Sequence, residues 1–269
     1  MVIDIIEKNT KKTNTVKEIH LKMGDKPMPN VDRATHLGII RTTSMKSNIR
    51  ANVDENITKS RRSAYSLFGS GFHGTNGLDL ESLLHIYKTY VLPILLYGME
   101  LLIPSSKPLE QLEMFQKRMI KQLLSLPTRC PDPAVYILTG ILPIEAQIHL
   151  KALVFFNNMC HQDESSIEKK LAFRQLTVKA DSSNSWFICI NNILRKYDMK
   201  EASTYLESPM SKSKWSSLVK SKVREYWSRH IHTMSQMYSS LQFLNSKSIY
   251  KGNVHPILKH KYYSALNID

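Results

Sequence analysis

The sequence predicts a mainly α-helical protein with a small β-hairpin near its amino terminus. From residue 43 onward, apolar residues recur at steps of three or four, the spacing of one face of a helix. Before that point, the segments KEIHLKM and RATHLGIIR flank the turn-forming stretch GDKPMPN, a pattern typical of a hairpin. No fixed-period repeat is present, so a solenoid is not expected.

Residues that cap or break helices set the expected boundaries. Thr43 or Ser44 begins the first helix, which ends at Gly69, and Asp79 caps a second helix that Pro93 kinks. Prolines also favour helix starts further along the chain. The expected helices span 43–69, 79–93, 106–127, 132–140, 143–159, 167–178, 186–197 and 211–234.

The helical part contains two serine-rich stretches, 181–185 and 207–213, either of which suits a linker. We therefore predict three units. Residues 1–42 form the β-hairpin, residues 43–180 form a multi-helix bundle, and residues 181–269 form a second, basic helical unit.

The charge of the chain favours a polyanionic partner. The formal net charge is +14, with a pI near 9.6, which suits nucleic acid or an anionic membrane surface. Residues 212–261 contain ten Lys and Arg side chains but a single acidic residue, Glu225. The carboxy-terminal unit therefore carries a concentrated positive charge.

The sequence has features of an intracellular protein. It begins without a basic segment followed by an apolar stretch and a cleavage site, so no secretory signal is predicted. The longest apolar run, 90–103, is interrupted by Pro93, Gly98 and Glu100 and is too short to span a bilayer. We expect the protein in the cytoplasm or nucleus, with no membrane partner.

Neither the cysteines nor the histidines predict a metal site. The three cysteines are about thirty residues apart and include no C-x-x-C pair, which indicates reduced thiols. His230 and His232 are two positions apart and point about 200° from each other on a helix. His255 and His260 have no carboxylate or thiolate partner nearby in the sequence.

The segment 69–74, GSGFHG, matches the spacing G-x-G-x-x-G of dinucleotide-binding loops. Such a loop follows a strand and opens a helix, whereas this one follows a predicted helix. Residues 75–77 also separate it from the next helix. We interpret it as a turn between helices and expect no cofactor.

No catalytic residue is assigned. The sequence has no nucleophile elbow and no acid-base pair at helical spacing. Nucleotidyl transfer by two metal ions needs clustered carboxylates, and the chain contains no Asp-Asp dipeptide.

The predicted helix 211–234 interleaves cations with aromatic residues. Cations could neutralise phosphates while an aromatic ring stacks on a base. Alternatively, the tryptophans belong to the core and the lysines form a solvated face. We prefer the core for the aromatic residues and binding for the cations, because a solvated face normally mixes both signs. The candidate binding residues on this helix are Lys212, Lys214, Trp215, Lys220, Lys222 and Arg224.

Several segments, in order, resemble the region downstream of the catalytic site in non-LTR (LINE-like) retrotransposon reverse transcriptases. They span most of the chain. The segments are THLGIIRT (35–42), SRRSAYSLFGSGFHGTNGL (60–78), YKTYVLPILLYGMELL (87–102), LPTRCPDPAVYILTGILPIEAQIH (126–149) and SPMSKSKWSSLVKSKVREYW (208–227).

The resemblance implies roles for particular residues. His36, Leu37 and Gly38 match a hairpin that resembles the primer grip, and the hairpin 1–42 would then be a remnant of the palm. The helices after it resemble the thumb, which holds the template and primer duplex through basic side chains. The candidates there are Lys46, Arg50, Arg61 and Arg62.

The chain departs from the family pattern in two respects. The fingers and most of the palm, with the Asp-Asp motif, are missing, and so is a cysteine/histidine zinc knuckle. The resemblance therefore implies a fragment of an RNA-directed DNA polymerase that is inactive alone and binds RNA or an RNA/DNA template-primer.

Two alternatives remain open. The chain could be a helical protein-interaction module without a nucleic-acid role. It could also be part of an active polymerase, whose palm and fingers would be encoded upstream in the same polyprotein.

Overall fold

A computed structural model of the protein describes residues 22–27, 31–72, 78–244 and 246–258. The protein is mainly helical (67%), with an N-terminal two-strand antiparallel hairpin followed by about 12 helices, which confirms the predicted fold class. Residues 15–21 of the predicted hairpin lie outside the described residues, as do 73–77 of the glycine-containing loop and the region from 259 onward.

The strands form two separate antiparallel pairs. In the first pair, Lys22–Met23 (β1) lies beside Lys26–Pro27 (β2). In the second, Arg33–His36 (β3) lies beside Ile39–Thr42 (β4), with Thr35 opposite Ile40. The expectation that RATHLGIIR is one strand was therefore wrong. It turns back on itself at residues 37 and 38, whose positive φ angles of 48° and 74° suit a two-residue hairpin loop.

The helices follow the predicted order, with a few additions. A π-helical turn, Tyr87–Val91, precedes Pro93 in place of a simple kink, and short helices follow it. The α-helices are α1 (Met45–Gly69), α2 (Leu80–Ile86), α3 (Leu92–Leu95), α4 (Met99–Leu102), α5 (Ser106–Leu123), α6 (Asp132–Thr139), α7 (Ile144–Cys160), α8 (Ile167–Val178), α9 (Trp186–Lys196), α10 (Ala202–Glu207), α11 (Lys212–Ser235) and α12 (Lys247–Lys251).

Side-chain caps explain why two of these helices begin where they do. The Ser44 hydroxyl accepts a hydrogen bond from the Ser47 amide at 3.2 Å. The Asp79 carboxylate accepts one from the Ser82 amide at 2.9 Å, and this bond lowers the pKa of Asp79. Each cap satisfies an amide that the first turn leaves without a partner. Both predicted starts are confirmed.

Two large hydrophobic clusters form the core. One is built mainly from α1 to α5 and includes Val53, Leu95 and Ile120. The other is built from α6 to α12 and includes Phe156 and Trp215. Because the second cluster contains residues from both sides of position 180, α7 and α11 share one core. The division into units at residue 180 stays a prediction.

Within the described ranges, no single helix is long and apolar enough to cross a membrane. The pair α6 and α7, bent by 54° at the break between them, passes the same test of length and composition together. Both helices contribute side chains to the two clusters, among them Ile137 and Ile144.

Candidate nucleic-acid interface

A ladder of asparagines on α1 holds the second hairpin in place. Asn48, Asn52 and Asn56 are four residues apart, so they share one face of the helix, and all three are buried. The Asn52 amide accepts a hydrogen bond from the backbone N–H of Ile40 and donates one to its carbonyl, both at 2.8 Å. Asn48 accepts a bond from the Thr42 amide. Side chains of α1 therefore satisfy backbone groups at the free edge of β4, which a neighbouring strand would otherwise satisfy.

The same ladder reaches the segment that follows α3. The Asn56 side chain donates to the carbonyl oxygens of Leu95 and Tyr97, at 3.2 and 2.8 Å. This polar face was not predicted, because the helix was indicated only by the apolar residues beside it. The repeat of asparagine at four-residue spacing was the available signal.

The three residues assigned to the primer grip by resemblance form the tip of this hairpin. His36, Leu37 and Gly38 are exposed, and Leu37 is 78% exposed. The Tyr97 hydroxyl donates to the Leu37 carbonyl at 2.8 Å. A Cβ atom on Gly38 would lie 3.0 Å from Cε1 of Tyr97, so glycine allows this close approach. The tip is thus supported from one side and open on the other.

Leu37 combines two unfavourable features, an apolar side chain in solvent and a left-handed backbone conformation. Strained backbone of this kind clusters at functional sites. Asparagine tolerates this conformation, which costs other residues roughly 1–2 kcal/mol. We expect Leu37→Asn to raise the free energy of unfolding by up to about 1 kcal/mol and to weaken binding of an RNA/DNA hybrid.

Urea denaturation and fluorescence anisotropy measure these two effects. Leu37→Ala is the control, because it removes the side chain but keeps the backbone strain. A variant Leu37→Asn that is more stable and binds the hybrid as well as the parent would show that the leucine is not a contact.

The four candidate cations on α1 are all exposed. Arg50 lies 4.0 Å from Asp54, in a loose pair whose side chains are 77% and 55% exposed. Lys46, Arg61 and Arg62 have no carboxylate within 4.0 Å among the described residues. Arg50 and Arg61 are about three turns apart, roughly 16 Å along the axis and about 20° apart around it. They therefore present two charges on one side of the helix.

A groove of about 380 Å³ lies between the hairpin and the amino-terminal half of α1, and Arg50 is the one cation of these four that lines it. It is lined by Arg33 and Thr42 of the hairpin and by Arg50 of α1. Asp54 and Glu55 line it too, so its charge is mixed. The structure thus brings the hairpin and the amino-terminal half of α1 together.

On α11, the cations do not form one face. Lys212, Lys214 and Lys220 are exposed, and none has a carboxylate within 4.0 Å in the described part of the chain. The Lys222 ammonium lies 3.6 Å from the carboxylate of Asp198, a residue that follows α9 in the chain. Successive helix positions differ by about 100°, so the cations lie on both sides of the buried stripe.

Trp215 is not available to stack on a base. It is 1% exposed, and its indole N–H donates to the Leu153 carbonyl at 2.8 Å. The ring packs 4.7 Å from that of Tyr205. Its inclusion among the binding residues was wrong, because residues at four-position steps on α11 turn into the core. The interpretation of the tryptophans as core residues is confirmed, and Trp227 is likewise buried.

Arg224 also has a structural contact that the sequence did not indicate. Its Nη1 donates to the Ile249 carbonyl at 2.7 Å, which joins α11 to α12. A Cβ on Gly252 would lie 2.6 Å from this atom. Burial lowers the pKa of Arg224. Burial also lowers the pKa of Lys88, and the neighbouring positive charge of Arg224 lowers it further.

A second groove, of about 410 Å³, lies between α4, α7 and α11. Glu100, Lys151, Phe155 and Lys220 are among the side chains that line it. Of these four residues, only Lys220 was predicted to take part in binding. In the sequence, Glu100 interrupts the apolar run 90–103, and this interruption was the available signal for a functional carboxylate.

The described residues contain no group of three His, Cys, Asp or Glu side chains that could hold a metal ion. The His230 ring stacks on Tyr226, at 6.0 Å between centroids. The His255 amide donates to the Leu138 carbonyl at 2.8 Å. The motif that begins at Gly69 follows a helix, as the sequence predicted.

Comparison of the chain with protein-family models, with curated proteins and with solved structures finds no match in any of the three.

Proposed function

We propose that the protein binds RNA or an RNA/DNA duplex through backbone phosphates, as the non-catalytic part of a polymerase of the non-LTR retrotransposon type. The observation that carries the proposal is the row of exposed, largely unpaired cations on α1, together with the groove that Arg50 shares with Arg33 and Thr42 of the hairpin. The sequence resemblance described above supports the same function.

The geometry of α1 suits a duplex backbone. A nucleic-acid duplex carries one negative charge per about 1.7 Å of its axis. A helix that presents Lys46, Arg50 and Arg61 on one side can therefore contact several phosphates. Such contacts hold a duplex without reading its sequence.

The hairpin tip would contribute a different contact. Leu37 offers an apolar surface, and Gly38 allows a close approach of another chain to the backbone. The Asn52 and Tyr97 contacts keep this tip in one position relative to α1. Together, the tip and α1 would grip the duplex, and the proposal assigns no bond-forming step to this chain alone.

The test is the salt dependence of binding to a labelled RNA/DNA hybrid, measured by fluorescence anisotropy. We expect the triple variant Lys46→Gln, Arg50→Gln, Arg61→Gln to bind at least about tenfold more weakly at low salt. The slope of log K against log salt should decrease by about two to three, because each lost phosphate contact contributes about 0.9.

The matched control removes three positive charges from another part of the surface. Lys170, Arg174 and Lys179 are exposed at α8 and its carboxy-terminal end. Their replacement by Gln changes the net charge equally and should alter the slope much less. Equal effects of the two triple variants, or no binding by the parent at low salt, would overturn the proposal.

One observation favours the second candidate, a protein-interaction module. Ile167, Leu171 and Val178 are exposed on α8, at 79%, 44% and 71%. Under this alternative, charge reversal at Lys212 and Lys214, which are exposed on α11, would leave function intact.

A further inference from the structure

We propose that the groove between α4, α7 and α11 binds an unstacked guanine of a single-stranded nucleic acid. This inference rests on the proposed function and specifies a second site, distinct from the hairpin and α1. Three features of the groove, taken together, point to a nucleotide.

The first feature is an apolar surface that includes an exposed aromatic ring. Leu150, Val154 and Val219 line the groove with Phe155, which is 43% exposed. The Phe155 ring packs edge to face with the ring of Trp186, at 5.6 Å between centroids and an interplanar angle of 85°. Trp186 therefore holds the ring while leaving part of it open. A flat apolar ligand can stack there.

The second feature is an acceptor without a donor. Oε2 of Glu100 is buried and accepts no hydrogen bond from any described residue. The backbone of Glu100 is held in place, since its carbonyl accepts the indole N–H of Trp186 at 2.9 Å. A buried acceptor without a partner is destabilising, and a ligand that donates to it removes this cost. The terminal torsion of a glutamate is broad, so the carboxylate can turn towards a donor in the groove.

The third feature is positive charge at the groove. Lys151 of α7 and Lys220 of α11 line it, and both are exposed. In the described part of the chain, neither has a carboxylate within 4.0 Å, so Glu100 does not neutralise them. They can therefore hold anions beside a ligand that occupies the groove.

A nucleotide meets all three requirements, because its base stacks, its base edge donates and its phosphates are anionic. Among the bases, guanine alone presents two adjacent N–H donors, at N1 and N2, that match the two oxygens of a carboxylate. Adenine and cytosine place an acceptor beside their donor, and uracil places an acceptor on each side of it. Glu100 therefore selects guanine.

The test uses labelled RNA hexamers of uridine with one central guanosine, inosine or adenosine, at moderate salt. We expect guanosine to bind about tenfold more tightly than adenosine. Inosine retains N1–H but lacks the N2 amine, so its affinity should lie between the two. Tryptophan emission should change on binding, because Trp186 contacts Phe155.

Variants separate the roles of the groove residues. Glu100→Gln should reduce the guanosine preference at least about fivefold, whereas Glu110→Gln, at an exposed position on α5, should leave it unchanged. Phe155→Ala should weaken binding of all three hexamers and keep the preference. Lys151→Gln with Lys220→Gln should also weaken all three. Thermal unfolding confirms that each variant is folded.

The outcomes distinguish this inference from the proposed function. Equal affinity for the three hexamers, or a preference that survives Glu100→Gln, would overturn the guanine site while binding of the hybrid remained intact. No effect of the double lysine variant on any hexamer would overturn the assignment of the phosphate contacts to Lys151 and Lys220. Failure of the parent to bind any nucleic acid at low salt would overturn both.

Discussion

Replacing Trp215 with alanine is expected to lower the free energy of unfolding by about 3–5 kcal/mol. The side chain is 1% exposed at the centre of the cluster shared by α7 and α11, next to Phe156 and Tyr205. Truncation leaves a large cavity and also removes the hydrogen bond to the Leu153 carbonyl. Urea denaturation followed by circular dichroism measures the change.

The neighbouring exposed residue provides the control for Trp215. Lys214→Ala should alter stability by no more than about 0.5 kcal/mol, because its side chain lies in solvent. Trp215→Phe should fall between the two variants, since it retains a ring but leaves the Leu153 carbonyl without its donor. If Trp215→Ala instead kept full stability and lost nucleic-acid binding, the assignment of Trp215 to the core would be refuted.

Asn52→Ala is expected to destabilise the protein by about 2–4 kcal/mol. The Asn52 amide satisfies both backbone groups of Ile40, and Ile40 is 3% exposed, so the alanine variant leaves two buried polar groups without partners. The hairpin should detach from α1 before the remaining helices unfold. Amide hydrogen exchange should show lost protection at Ile40.

Thr58→Ala is the control on the same helix, because Thr58 is exposed. It should change stability by no more than about 0.5 kcal/mol. Binding of the RNA/DNA hybrid should fall with Asn52→Ala under the proposed function, because the hairpin is no longer held against α1. Unchanged protection at Ile40 would contradict the role of the asparagine ladder.

The helix boundaries were largely predictable because they depend on neighbouring residues. Ser44 and Asp79 cap the helices that follow them, as their side chains and positions indicated. The segment 33–42 was less predictable. Leu37 is an unusual residue for a left-handed turn, so residue preference favoured a turn there only at Gly38, and the family resemblance was the other signal for a hairpin.

The candidate interface was predictable only in part. Arg61 and Arg62 were expected to be exposed cations, and they are. Trp215 and Arg224 also belong to a basic segment with aromatic residues, but the side chains of both donate hydrogen bonds to backbone carbonyls within the protein. A helix pattern tells which residues share a side, whereas the choice of the buried side depends on the helices packed against it.

By itself, the sequence determined the helical class, the caps, the positive charge and the absence of an Asp-Asp pair, since each depends on composition or on residues a few positions apart. The tertiary structure alone decided that Asn52 hydrogen-bonds to Ile40 and that Trp215 lies in the core. It also decided that Glu100, Lys151 and Lys220 line the same groove. Those contacts join residues from different helices and strands. Their distances follow from how the elements pack, which no local pattern encodes.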